Sequence, residues 1–431
     1  LIATGASKPV FAAASRKLEA KGNNIMSTLL ARLATAAGLA ALIAFPAFAQ
    51  NTSTALNGQL QWGDVISTVD VVSRNGAQTV SSVATSTGNA VSGANLSGDL
   101  EAQSEQTMSG ATFATAIVDA NNVGEAAVIA TAQGNTAQAQ TENGNLLLDA
   151  AQISDGGDVL ARARAIVANS QTLSTTSTSA GNNTATDADH GDLTVQLRQD
   201  ASNSSYAITD VDACCTGTTV AGSSSVTNIY GSSSTTSTVD AKYEQNSTGA
   251  ESRATTDVYQ YRAYDVTAAS TAAANSATIN NEWGYTAIRG RQTSSTDVAA
   301  DTRLTVGTWS GVAVVSAYGV GNTTLATNIG SDMVIDIAQM NTGGVDANAQ
   351  FADSSSDGGQ VLVSSTAVGN GFTGYVCSQC GDAALSGTIS QTNGGNITST
   401  GTISTNGAGA IIGSASAIGN SATFITTQRN N

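Results

Sequence analysis

Residues 132–139 read AQGNTAQA, and the same step returns down the chain: STGNAVSG at 86–93, AGNNTATD at 180–187, AANSATIN at 273–280, VGNTTLAT at 320–327, VGNGFTGY at 368–375 and IGNSATFI at 418–425. SVTNIYGS at 225–232 fills the one gap. The asparagines at this step are Asn89, Asn135, Asn182, Asn228, Asn275, Asn322, Asn370 and Asn420, spaced 46, 47, 46, 47, 47, 48 and 50 apart. A second marker keeps the same phase. Gln59, Gln106, Gln152, Gln199, Gln245, Gln292, Gln339 and Gln391 each precede an asparagine of the series by 29 to 31 positions. Two markers locked together over so many copies define an array of about eight 47-residue units rather than unrelated domains.

Turn signals fall near the middle of most units, among them Arg74-Asn75-Gly76, Cys214-Cys215-Thr216-Gly217 and Thr405-Asn406-Gly407. Gly and Asn tolerate positive φ and so mark such corners. Between corners the residues alternate at period two, as in DVYQYRAYDV at 257–266, with Thr, Val, Ile and aromatics at strand positions. The chain has only seven Phe and three Trp, too few for a broad globular core. Thin coils can use small residues inside and stack Asn and Gln so that each amide bonds its copy one rung away. The expected fold is all-β, a β-solenoid of one large coil or two half-size coils per unit, with repeated antiparallel hairpins as the alternative.

Three regions are expected: upstream sequence at 1–25, a secretory signal peptide at 26–49, and the β-repeat domain at 50–431. After Met26 the only charge of the signal segment is Arg32, an apolar run extends from Leu33 to Phe45, and Ala47-Phe48-Ala49 supplies the small residues for cleavage between Ala49 and Gln50. Removing that stretch leaves 382 residues with 11 basic and 31 acidic side chains, and Lys242 as their only lysine. Such a chain repels anionic headgroups and lacks the basic patch that nucleic acid requires.

Chemistry-bearing residues are few. The only histidine, His190, lies in Asp187-Ala188-Asp189-His190-Gly191-Asp192. Asp187, Asp189 and Asp192 present oxygens at alternating positions before a glycine, which suits calcium, although the spacing matches no full calcium loop and an acidic solvated turn is the plainer reading. No other metal or cofactor is expected. The cysteines form two local pairs, Cys214-Cys215 and Cys377-Ser378-Gln379-Cys380, which in an oxidising compartment read as disulfides. No nucleophile elbow, zinc-protease helix or phosphate loop is present, and one Lys and one His are little to pair with scattered carboxylates, so no catalytic residue is assigned. Tyr259, Tyr261, Trp283 and Trp309 belong to an aromatic cluster in the fifth and sixth units, and are candidates for stacking on sugars or for the densest part of a thin core.

The stretch Gln133-Gly134-Asn135-Thr136-Ala137-Gln138-Ala139-Gln140 resembles the repeats of curlin-type adhesive fibre subunits, at about twice their period. With the leader, the acidic chain poor in Lys and Pro, the Gly-Asn phasing and the vicinal Cys214-Cys215 turn, the sequence resembles the holdfast anchoring protein D (HfaD) family of stalked alphaproteobacteria. The resemblance implies a surface protein, exported through the Sec pathway to the outer membrane, that fixes an adhesive polysaccharide holdfast to the envelope. Its implied partners are that polysaccharide, a curlin-like subunit and a lipoprotein pore of the curli-exporter type. Self-association as a curlin-like fibre subunit, or a polysaccharide-acting β-helix enzyme, are the alternative functions.

Overall fold

The computed structural model describes residues 52–74, 76–354, 358–377 and 383–427. The chain divides into two units, Leu1–Gln50 and Asn51–Asn431. The first lies outside the described residues, as do the expected leader and the Ala49/Gln50 cleavage point.

The third repeat shows how a unit folds. Leu146–Ser154 is a nine-residue strand and Val159–Asp189 a 31-residue one. Val159, Ala161, Ala163, Ala165 and Val167 point inward, as period-two alternation dictates. The chain then turns a corner, and Leu173, Thr175, Ser177 and Ser179 continue the inward set. At Ala180-Gly181-Asn182 three consecutive residues are buried and the parity flips, so that Thr184, Thr186 and Ala188 now face inward. Each unit is therefore one coil of four segments, and the Gly-Asn step is the kink between the third and fourth.

Among the described residues every strand pair is parallel, and most residues meet partners 46 or 47 positions away. The full-length coil is thus the one adopted, and the half-size coils and antiparallel hairpins are not. The first segments stack as an eight-stranded sheet from Ser53–Gln61 to Leu385–Asn393. The remaining segments form the second sheet, which bends around the corner.

Two apolar columns run through the coils. One joins the second and third segments and the other joins the first and fourth. The first is built from stacked small residues: Ala114, Ala161, Ala207, Ala254, Ala300 and Ala347 occupy one register position and all are fully buried. Large side chains enter only where a neighbour makes room. Trp309 packs edge-on against Phe351, with centroids 5.1 Å apart, and fills the space that a Cβ on Gly358 would take.

Between the columns lie two amide ladders. Asn89 donates to Asn135 Oδ1, and the relay continues through Asn182, Asn228, Asn275, Asn322 and Asn370 to Asn420, each step 2.8–2.9 Å. The glutamines run the other way. Gln391 donates to Gln339 Oε1, and so on back to Gln59, at 2.7–2.9 Å. Each asparagine from Asn89 to Asn370 also donates to a first-segment carbonyl, as Asn182 does to that of Asp200 at 3.0 Å. Each glutamine donates to the carbonyl just after an asparagine, as Gln199 does to that of Ile229 at 2.8 Å. The two ladders thus cross-link opposite walls of the coil while stacking one coil on the next. Glycine commonly precedes the asparagine because the coils approach closely there: a Cβ on Gly134 would lie 2.4 Å from the Gly181 carbonyl oxygen.

Candidate functional site

The two walls of the coil differ on the outside. First and second segments carry the charges, with Arg162 on Asp210 at 2.9 Å, Arg198 on Asp200 at 2.7 Å, and Lys242, Arg289 and Arg291 in adjacent coils. From the third coil onward the outward positions of the third segment are nearly free of charge. Thr178, Ser224, Thr271, Tyr318, Thr366 and Ser416 form one column there, beside Thr176, Gly222, Ala269, Ser316, Ser364 and Ser414. One wall is therefore ionic, and the other carries two columns of hydroxyls and small side chains beside a third, Ser174, Val220, Thr267, Val314, Leu362 and Ile412, that is largely apolar. The sequence alone did not expose this array, because its members are adjacent only once the register is known.

Many of the carboxylates are structural. Asp64 accepts from the Ala111 N–H at 2.9 Å, Asp99 from Asn145 at 2.8 Å, Asp265 from Val312 at 2.7 Å, Asp297 from Gly344 at 2.8 Å and Asp332 from Ala384 at 2.7 Å. Each aspartate sits at a corner and caps the exposed backbone of the following coil, which is the Asx behaviour these residues show at turns.

The aromatic candidates separate. Tyr259 and Tyr261 are exposed, beside exposed Tyr264, at the corner between second and third segments of the fifth coil. Trp283 is also exposed but stands at the corner that leads into the next coil, lying across Gly330. Trp309 is a correction: it is only 2% exposed and packed in the core, so it offers no face to a sugar. The four stacking candidates thus divide into two tyrosines on one exposed corner, Trp283 on another and a buried Trp309.

Trp283 belongs to a column of unusual backbone. Asn143, His190, Thr236 and Trp283 occupy equivalent corner positions with φ of 55°, 57°, 57° and 62°, and Gly330 continues it at 82°. His190 Nδ1 meets Asp189 Oδ1 at 2.7 Å. The calcium reading does not survive this geometry. Asp187 and Asp189 lie on a strand and Asp192 beyond the corner, and among the described residues no three His, Cys, Asp or Glu gather as metal ligands.

Cys214 and Cys215 sit at the corner below the tyrosine ridge, with Sγ atoms 2.6 Å apart, longer than the roughly 2.05 Å of a disulfide. The contact with Cys215 pushes the Cys214 thiol pKa up. The other expected bridge involves Cys380, which lies outside the described residues.

Among the described residues no helix is long and apolar enough to cross a membrane. Fold and surface together define a parallel β-solenoid repeat protein with one ionic and one hydroxyl-rich wall. The model of the holdfast attachment protein D (HfaD) family matches residues 74–344, more than half of the chain, and the chain belongs to that family. The family's role is holdfast attachment, which places it at the cell envelope. Neither the comparison with curated proteins nor that with solved structures finds a match.

Proposed function

We propose that this protein is a non-catalytic anchor, exported through the Sec pathway to the outer surface, that holds an adhesive polysaccharide to the envelope. The observation that carries the reading is the match to the holdfast attachment family. The hydroxyl-rich wall supports it as the surface for glycan contact, because stacked Thr and Ser present donors and acceptors at the regular rise of a β ladder, about 4.8 Å. Exposed Tyr259, Tyr261 and Trp283 add apolar faces for sugar rings. Cleavage between Ala49 and Gln50 would release residues 50–431 as the working domain. A Cys214–Cys215 disulfide would form on export, since the two sulfurs are already in contact. A curlin-like subunit and an exporter-type lipoprotein are the proposed protein partners.

The test is genetic. A strain lacking the protein should make adhesive polysaccharide and shed it into the medium, and the intact chain should restore retention. Normal retention by the deletion strain would refute the anchor role.

A further inference from the structure

The corner between the second and third segments breaks the strand alternation. In the fourth coil Ala213 and Thr216 are buried, and the two residues between them, Cys214 and Cys215, face outward. Asn121 and Asn122 do the same in the second coil, as do Tyr261 and Arg262 in the fifth. The corner thus sets two thiols side by side, their sulfurs 2.6 Å apart and Cys214 exposed. In the coils below, the Cys215 position is held by Asn122 and Asn169, which bond each other at 2.8 Å. Cys215 ends that rung. Above it, Gln260 and Arg262 pair with Ala213 and Cys215, so Tyr261 stands one rung over Cys214. One of the proposed sugar contacts therefore rests directly on the cysteine pair.

A bridge between these two residues makes a poor staple. A disulfide stabilises by closing a loop of the unfolded chain, more so for longer loops, and adjacent cysteines close almost none. It would also join no coil to another. Adjacent Cα atoms stand about 3.8 Å apart across a trans peptide, short of the roughly 4.4–6.8 Å that an unstrained bridge spans. Closing the small ring twists the peptide between them, and so draws Cys215 off its strand partners Asn169 and Arg262. Strained bridges within reach of solvent are the readily reduced kind.

We propose that Cys214 and Cys215 form a redox-active site, open to thiol–disulfide exchange with small disulfides outside the cell, whose closure loosens the corner beneath Tyr261. The Cys214 thiolate attacks one sulfur of the small disulfide and expels a thiolate. Cys215 then attacks Cys214 Sγ in the mixed disulfide, closes the ring and expels the second thiolate. Two electrons and two protons pass from the protein to the small disulfide, which leaves as two thiols. Because the thiolate is the nucleophile, the raised pKa of Cys214 makes the first attack slow at neutral pH and faster in alkali. The inference rests on the anchor reading for the compartment, and goes beyond it in giving one sugar contact a means of regulation.

The test equilibrates the whole exported domain with oxidised or reduced glutathione at a pH of about 8.5, then alkylates free thiols and maps the peptides by mass. Oxidised glutathione should close the pair and reduced glutathione should reopen it, whereas a structural bridge would resist reduction. Hydrogen exchange at residues 213–216 and 260–264 should run about tenfold faster in the ring form than in the dithiol form. Cys214→Ser and Cys215→Asn should each abolish both responses, the second by restoring the residue found in the two coils below. Thermal melts of both variants establish that they fold. A pair that never closes, a ring that glutathione does not open, or equal hydrogen exchange in the two forms would overturn the site. The anchor reading has its own readout: if the wild-type chain retains adhesive material on cells while its cysteine pair fails to exchange, only the redox site is lost.

Discussion

Thr236 is held at φ 57°, a left-handed conformation that a β-branched residue adopts only at a cost. The corner dictates it, since Asn143, His190 and Trp283 take the same conformation at the equivalent position of their coils. Asparagine tolerates that region far better, as it does natively at Asn143. Thr236→Asn should therefore stabilise the domain by about 1 kcal/mol, read as a higher denaturation midpoint. A glycine there would gain less, because it also loosens the unfolded chain. A neighbouring buried group sets an alkaline limit. Tyr230 is 1% exposed, and burial pushes its pKa up to about 12 from an ordinary 10. A folded-state pKa above the unfolded one means that the neutral phenol stabilises the fold fully below pH 10. That contribution falls as pH rises from 10 to 12, by about 3 kcal/mol in all. Tyr230→Phe should lessen the loss across that window, which denaturation at a series of pH values would show, and the rest belongs to Tyr243, whose pKa burial also raises. Unchanged pH dependence in the variant would place the alkaline loss elsewhere.

At the scale of the element, the ladders explain why the repeat is so legible and the rest so degenerate. Asn228 donates to Asn275 Oδ1 at 2.8 Å and to the Asn246 carbonyl at 3.0 Å, and accepts from Asn182 at 2.9 Å. No other side chain supplies that donor and acceptor set in that space. Asn228→Ala should cost about 2–4 kcal/mol, because it strands the buried Oδ1 of Asn275 and removes one of the two bonds that Asn182 Nδ2 donates. Hydrogen exchange should show the loss concentrated in the coils on either side, since a solenoid couples mainly to its nearest neighbours. The Asn and Gln phases therefore survive in the sequence as a clean period, and the alternation between them announces β structure. Elsewhere the period tells little. Inward positions accept any small residue, and the outward ones accept almost anything. The four-segment coil was hidden because its third and fourth segments read as one continuous strand unless the parity flip at Ala180-Gly181-Asn182 is noticed. The hydroxyl columns were hidden for a different reason: their members are 46 to 50 residues apart, and only the register assembles them. For Trp309 the choice between sugar face and core stayed open for want of one fact, that Gly358 leaves room for its ring.

At the scale of the whole β unit, sidedness is what the repeat confers. Because each coil presents the same four segments, any bias in one segment becomes a continuous strip along the stack. Charges gather on one wall and hydroxyls on the other, so that a single chain can face two environments. The ladder geometry also has a mechanical meaning for an anchor. The strands lie across the stacking axis, so tension between the first coil and the last loads the rungs in line and not in shear, and they give way one at a time. Each coil released lets out about 47 residues, or roughly 160 Å of slack. Single-molecule pulling between residues 52 and 427 should record a series of similar steps of that length, and one all-or-none rupture would contradict serial release. An attachment built this way yields by lengthening, as a shock absorber does, before it lets go.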